Sequence, residues 1–494
     1  VKEKKKDKKK KRKSGVDEES SSSSIDIFDE ISSASIIDDA MIGRLKGYLN
    51  DNKDDESSVA AVRSHASSVP FLAALLCAYT ASRSAYDRSI FECLQTLERQ
   101  YAVNLSALSP LVFDGRAKVN YEKLKELGRF LHVKLTPDQV LEWLDGTQLW
   151  TTAMMAEHPK MADRGEKLYD TQFVLRLLLS IVQPGSELNC RSFVDRNCLA
   201  LAFSSTSSPD EETRRLALVL LQRFLSLLME LKTDDFAEKS MVVYLIRLFK
   251  NSLETEAPRV NHVISHFFAR VSKLLLNPIH PVYAPICAFL TLKPAIEMHQ
   301  VPELFKLLIS SSTEHFEDEQ KWLLNLLAAA VVDAADYRVL QNRSSLRLIQ
   351  SLFSSCLSRM GTRQACLAVL KAVVSLPSAA YDVLTKHNLA AWIAATIQRP
   401  SLTRWEVIYL GEIFTLLLEN ARIYGRGKPG ATVAHALAKI TVHSVTRRLG
   451  AGGITAADTV AYGHIMKAEK SIKSDWKGME VKIEMNEEDT VVVN

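Results

Sequence analysis

Between residues 169 and 420 the chain is one succession of apolar segments of helical length, at 173–182, 193–203, 214–231, 241–253, 260–276, 286–292, 301–308, 321–332, 344–357, 363–376, 389–397 and 405–420. A strand grammar would instead alternate apolar and polar residues over short runs bounded by turn residues. In the 214–231 segment, Leu216, Leu218, Leu220, Leu221, Leu225, Leu228 and Met229 cover more than one narrow stripe, the pattern of a helix packed on two sides. Eighteen glycines and 15 prolines in 494 residues are too few for many tight turns. The prolines punctuate instead: Asn277-Pro278 and Leu376-Pro377 end helices, because proline disfavours helical geometry in the residue before it. Ser208-Pro209-Asp210-Glu211 begins one, with Ser208 expected as N-cap, Pro209 at the first helical position and Glu211 in the first turn. A chain of this length outgrows a single core. The expected fold class is therefore all-α, an irregular armadillo/HEAT-like α-solenoid with helix pairs about 40 residues apart.

The ends have a different texture. Residues 1–60 are expected to be a disordered leader, a lysine-rich tail followed by a serine run with repeated carboxylates. Within it, 25–30 and 36–49 are apolar enough to become helical against a partner and are expected to be mobile when free. Residues 61–165 form an N-terminal helical segment, with helices at 71–79 and 86–101, and a tryptophan-rich link at 143–150. Trp143, Leu144, Leu149 and Trp150 are read as staples between helices. The solenoid is assigned to 166–475 and an acidic flexible tail to 476–494. The chain begins with Val1, so a longer parent protein is expected. The start lacks the apolar core of a secretory signal and no uninterrupted apolar stretch reaches the roughly 18 residues of a spanning helix, so an intracellular chain with no membrane partner is expected.

Reactive chemistry is thinly supported. Seven cysteines are odd in number, widely spread and without C-x-x-C spacing, which fits reduced core residues. Gly425-Arg426-Gly427-Lys428-Pro429-Gly430 matches G-x-G-x-x-G, but no strand precedes it, so a flexible basic interhelix loop is expected. His262 and His266 share a helix face, yet Val263, Ile264 and Ser265 stand between them and the glutamate of H-E-x-x-H is absent, so ordinary packing or surface histidines are the better reading. No catalytic residue, cofactor or metal is assigned, and the chain is not expected to be an enzyme.

The net charge of +4 conceals a division. Residues 2–13 carry ten Lys/Arg against Glu3 and Asp7, while the remainder has 52 basic and 56 acidic residues. A dense lysine run attracts phosphate backbones without reading their sequence and also addresses proteins to the nucleus. Candidate RNA or nuclear-targeting contacts are Lys4, Lys5, Lys6, Lys8, Lys9, Lys10, Lys11, Arg12 and Lys13, with Arg422, Arg426 and Lys428 as a second basic group.

From Lys273 to Ile393 the chain resembles the C-terminal region of the nucleolar pre-ribosomal-associated protein 1 family. The resemblance rests on HPVYAPICAFL at 280–290, VPELFKLL at 301–308, EQKWLLNLL at 319–327 with Trp322, and Tyr337, Ser354 and Ala380-Tyr381-Asp382 in order. Earlier matches are YDTQFV at 169–174, FVDRNCLALAF at 193–203 and SSPD at 207–210 before Arg214 and Arg215. The best match spans 169–395. The resemblance implies a nucleolar, non-catalytic scaffold of early large (60S) subunit assembly. Its implied partners are pre-ribosomal RNA and other assembly factors, including RNA helicases; the lysine tail adds the nuclear import machinery. Tyr169, Phe193, Tyr283, Trp322 and Tyr381 are assigned to packing. The alternative is a nuclear α-solenoid adaptor for protein–protein interaction or transport.

Overall fold

The computed structural model describes residues 27–425 except 35, 53–55, 106–107, 109–110, 128–134, 159–164, 233–235, 256–257 and 311–312. Among the described residues the regular elements are helices, and β pairing is confined to an isolated antiparallel bridge between Ser82 and Tyr169. The fold is all-α, as the apolar segments predict. No single helix among the described residues is long and apolar enough to cross a membrane. The chain forms two compact units. The first comprises the residues up to Val260 with Phe268–Pro278 and Ile286–Ala295, and the second Asn261–Phe267, Ile279–Pro285 and the residues from Ile296 on.

The first unit opens with α1 (27–33), α2 (Asp39–Asp51), α3 (Glu56–Ala66), α4 (Val69–Ala78) and α5 (Ala85–Arg99). The expected disordered leader is thereby corrected from residue 27 on; residues 1–26 lie outside the described residues. The physical reason is burial within the chain. Phe28 and Ile31 are buried, Phe28 meets Phe71 edge-on at 4.9 Å, and Met41, Ile42, Leu45 and Leu49 line the inner face of α2. The hydroxyls of Tyr86 and Tyr101 donate to the carbonyls of Ile37 (2.7 Å) and Leu49 (2.6 Å). The partner these segments need is α4 and α5.

Next come α6 (Gly115–Leu127), α7 (Pro137–Trp143) and α8 (Gly146–Met155), so the tryptophan-rich link is two helices. Trp143 staples as expected: its ring is buried, its Nε1 donates to the Phe113 carbonyl at 2.6 Å, and the Arg116 guanidinium lies 5.2 Å from the ring centre. The 79–84 connection is organised by the buried Asp87 carboxylate, which accepts from the backbone of Thr80 (3.1 Å) and Ser82 (2.8 Å). The same connection approaches Gly165 closely. A Cβ there would sit 2.7 Å from the Arg83 carbonyl oxygen. Gly165→Ala is therefore expected to destabilise the first unit by about 1–3 kcal/mol, the usual cost of overpacking against fixed backbone. A thermal melt checks this, and an unchanged midpoint would contradict it.

The unit continues through α9 (Thr171–Ile181), α10 (Cys190–Asp195), α11 (Cys198–Ser205), α12 (Glu211–Glu230) and α13 (Lys239–Ser252). The start of α12 differs from expectation: the cap is Asp210, whose side chain accepts from the Thr213 backbone at 2.8 Å, and not Ser208. A carboxylate two residues further on reaches the free amides better, and Pro209 falls before the helix. Four hydrogen bonds to Asp210, led by those from Thr213, hold its carboxyl below the usual range. Helices three apart in order pack on each other, α8 on α11 and α9 on α12.

α14 (His262–Leu274) and α15 (Tyr283–Leu292) precede the run α16 (Leu304–Ile309), α17 (Phe316–Ala330), α18 (Ala334–Gln341), α19 (Ser345–Ser354), α20 (Met360–Val374), α21 (Pro377–Thr385), α22 (Leu389–Ile397) and α23 (Arg404–Gly425). In the second unit α17 packs on α20, α20 on α23 and α18 on α21. α17, α20 and α23 begin 44 residues apart, at Phe316, Met360 and Arg404. The repeating element is thus three helices, where spacing alone suggested pairs. Leu323 and Leu327 of α17, Leu370 and Val373 of α20, and Leu410 and Leu417 of α23 are buried along this stack. Leu376-Pro377 breaks the chain as expected and turns it by 109° between α20 and α21.

Candidate functional site

A buried polar cluster lies in the second unit. Asp336, on the first turn of α18, is fully buried. Its Oδ1 accepts from the His262 backbone at 2.7 Å, and its Oδ2 from His262 Nδ1 (2.9 Å), the Val332 backbone (3.0 Å) and the Asp333 backbone (2.9 Å). A carboxylate only accepts, so the His262 proton sits on Nδ1. Asp333 completes a reciprocal capping box at the start of α18. The His262 ring nitrogen and the two carboxylates lie within 4.8 Å of one another, the separation a metal site requires. The donor set argues otherwise. Both oxygens of Asp336 are engaged by N–H groups, three of them on Oδ2, and the two helix starts gathered here disfavour a cation. The cluster is a clasp between α14 and α18, and His262 and His266 are buried packing histidines as expected.

A second clasp has the same logic. Glu406 of α23 is fully buried, and its Oε2 accepts from Thr403 N (2.8 Å) and Thr403 Oγ1 (2.9 Å). Its Oε1 faces Arg363 Nε of α20 at 2.9 Å. Sequence reasoning missed both clasps. The available signals were D-x-x-D at 333–336 and T-x-x-E at 403–406, each just before an apolar run.

Two residues of the family-like pattern come together in a third contact. The Tyr337 hydroxyl of α18 donates to Asp382 Oδ2 of α21 at 2.8 Å; Gln341 and Lys386 also donate to that carboxylate. Burial pushes the Asp382 carboxyl up, but the hydrogen bonds from Lys386 and Tyr337 outweigh it and hold the group below its ordinary range. Burial and then Asp382 push the Tyr337 phenol up. Because the Asp382 pKa is lowered on folding, its contribution is full above the ordinary carboxylate range and is lost as pH falls through the lowered value. Tyr337→Phe is expected to cost about 1 kcal/mol at neutral pH and to move the acid limb of a pH–stability curve upward; a superimposable acid limb would contradict this.

Of the candidate phosphate contacts, only Arg422 falls among the described residues, exposed in the last turn of α23. Lys4, Lys5, Lys6, Lys8, Lys9, Lys10, Lys11, Arg12, Lys13, Arg426 and Lys428 lie outside them, as do the 426–430 part of the glycine loop and the 476–494 tail. Tyr169 and Phe193 are buried, with Phe193 stacked on Phe224 at 4.5 Å; Trp322 is half-buried, edge-on to Phe267 at 6.1 Å. All seven cysteines are free thiols. Burial pushes Cys190, Cys198 and Cys366 up to about 12, which keeps them protonated, while Cys356 is the exposed exception to the core reading. The polar clusters tie helices together. What remains for partners is surface, including the exposed side chains of Met229 and Tyr244 in the first unit and Phe305, Leu357 and Trp405 in the second.

Residues 199–392, from α11 into α22, match the family model described as nucleolar pre-ribosomal-associated protein 1. The human protein of that name is 26% identical over 361 residues, covering 70% of this chain and 16% of the relative. The mouse protein of that name is 27% identical over 341 residues, covering 65% and 15%. The chain thus spans about a sixth of the length of these relatives. No solved structure matches it. Residues 199–392 of this chain are thus similar to the nucleolar pre-ribosomal-associated protein 1 family.

Proposed function

We propose that this chain is a non-catalytic scaffold of early large (60S) subunit assembly in the nucleolus, binding pre-ribosomal RNA and assembly factors, RNA helicases among them. Both relatives are nucleolar and pre-ribosomal by name, and that name denotes an association and not an enzyme class. The observation that carries the reading is the three-helix stack, of which α17 and α20 lie in the matched segment and α23 just beyond it, because its polar groups are spent on holding helices together and its outer faces remain for partners. The body is near charge balance once residues 2–13 are set aside. Shape and side-chain detail then select partners, while the lysine tail tethers to phosphate and is read by the import machinery.

Deletion of residues 2–13 is the test. RNA affinity should fall, and its salt dependence should flatten as fewer counterions are released, with helicity nearly unchanged. The deleted chain should still co-sediment with large-subunit precursors in nucleolar extract. Loss of all association with those particles on deletion of the tail alone would contradict the division of labour.

A further inference from the structure

α4 is apolar all round, VPFLAALLCA, the character of a helix covered on both sides. One side carries Phe71, Leu72 and Leu75 into the core of the first unit. The other side is the floor of an open groove of about 580 Å³, made by the small residues Ala73, Ala74, Cys77 and Ala78. Small side chains at these positions leave room where large ones would have filled it. Ile37 and Tyr86 form one wall, and Tyr121 of α6 the other. Ile36, at the lip, is 81% exposed. The α6 rim carries Lys118 and Lys125, two turns apart and both exposed, with Glu122 between them; neither lysine has an ion pair among the described residues.

We propose that this groove docks an amphipathic helix of a partner protein, its apolar stripe laid on α4 and its acidic edge facing Lys118 and Lys125. The volume lies within the range of sites that enclose several apolar side chains. An apolar floor with a charged rim is the arrangement used to bind a helix by its i, i+3, i+4 and i+7 positions. The two unpaired lysines set the sign of the edge and so the orientation of the guest. Cys77 on the floor reports occupancy, since burial, the largest influence on it, holds its thiol up near 11 while leaving it half-exposed to the groove.

The test uses the full chain and a fluorescein-labelled peptide of about 18 residues, long enough to form a helix, with leucines along one stripe and glutamates along both edges. Its counterpart carries lysine for every glutamate. The acidic peptide should bind about fivefold more tightly, the contribution of two exposed charge pairs, and should slow N-ethylmaleimide modification of Cys77 in a background carrying Cys287→Ser and Cys356→Ser. Ala74→Trp, which fills the floor, should abolish binding. Lys118→Glu with Lys125→Glu, at exposed positions that leave the fold intact, should reverse the preference between the peptides. Equal binding of both peptides, or an unchanged preference in the charge-reversed chain, overturns the proposal. So does uptake of the acidic peptide only after residues 1–26 are removed, which makes the chain's own leader the occupant, or uptake of the neutral dye Nile red with neither peptide bound.

Discussion

Asp336→Ala should lower the stability of the second unit by about 3–5 kcal/mol, the scale observed when a buried charged partner is removed and its counterpart groups are left unpaired. Four N–H donors converge on this carboxylate, three of them backbone groups at the starts of α14 and α18. The two from His262 are buried and have no water to turn to. Asp336→Asn should fall between, because its amide oxygen still accepts but its NH₂ faces other donors. Zinc or a chelator should leave the melting temperature of the parent chain unchanged. A metal-dependent shift, or an Asp336→Ala chain as stable as the parent, would refute the clasp.

Arg363→Ala should have an effect of similar size by a different route. It removes the cation facing Glu406 and leaves a fully buried carboxylate held only by Thr403. The expected loss is about 3–5 kcal/mol, measured by chemical denaturation near neutral pH. Arg363→Ala combined with Glu406→Gln should recover much of it, because the uncompensated charge is gone. A single variant no weaker than the double would show that Glu406 does not need its partner. Both clasps lie within or beside the 199–392 match, so a scaffold weakened there should lose partners without a change at any contact surface.

The helical class was legible because side-chain periodicity is local: Leu220, Leu221, Leu225 and Leu228 mark the inner face of α12 in the sequence and are buried in the structure. The repeat was not. Its 44-residue recurrence is carried by which helix stacks on which, and the residues that do the stacking share no motif. The leader was misjudged for a related reason. Phe28 and Ile31 sit in a polar context, and only the distant Phe71 makes them core. Tyr337 and Asp382 stood out through the family resemblance, but their contact spans 45 positions and could not be read from either alone. The clasps were the nearest miss, since a capping box is a local signal and the neighbour it reaches is not.

The central claim is that helical faces select partners while the basic tail tethers. Crosslinking the full chain to RNA and protein in nucleolar extract, with contacts mapped to residues, tests it most directly. The account predicts large-subunit precursor RNA crosslinked at residues 2–13 and assembly factors crosslinked at exposed side chains of the helices between α11 and α22. Recovery of neither from a folded chain, or of protein partners at the lysine tail alone, would contradict it.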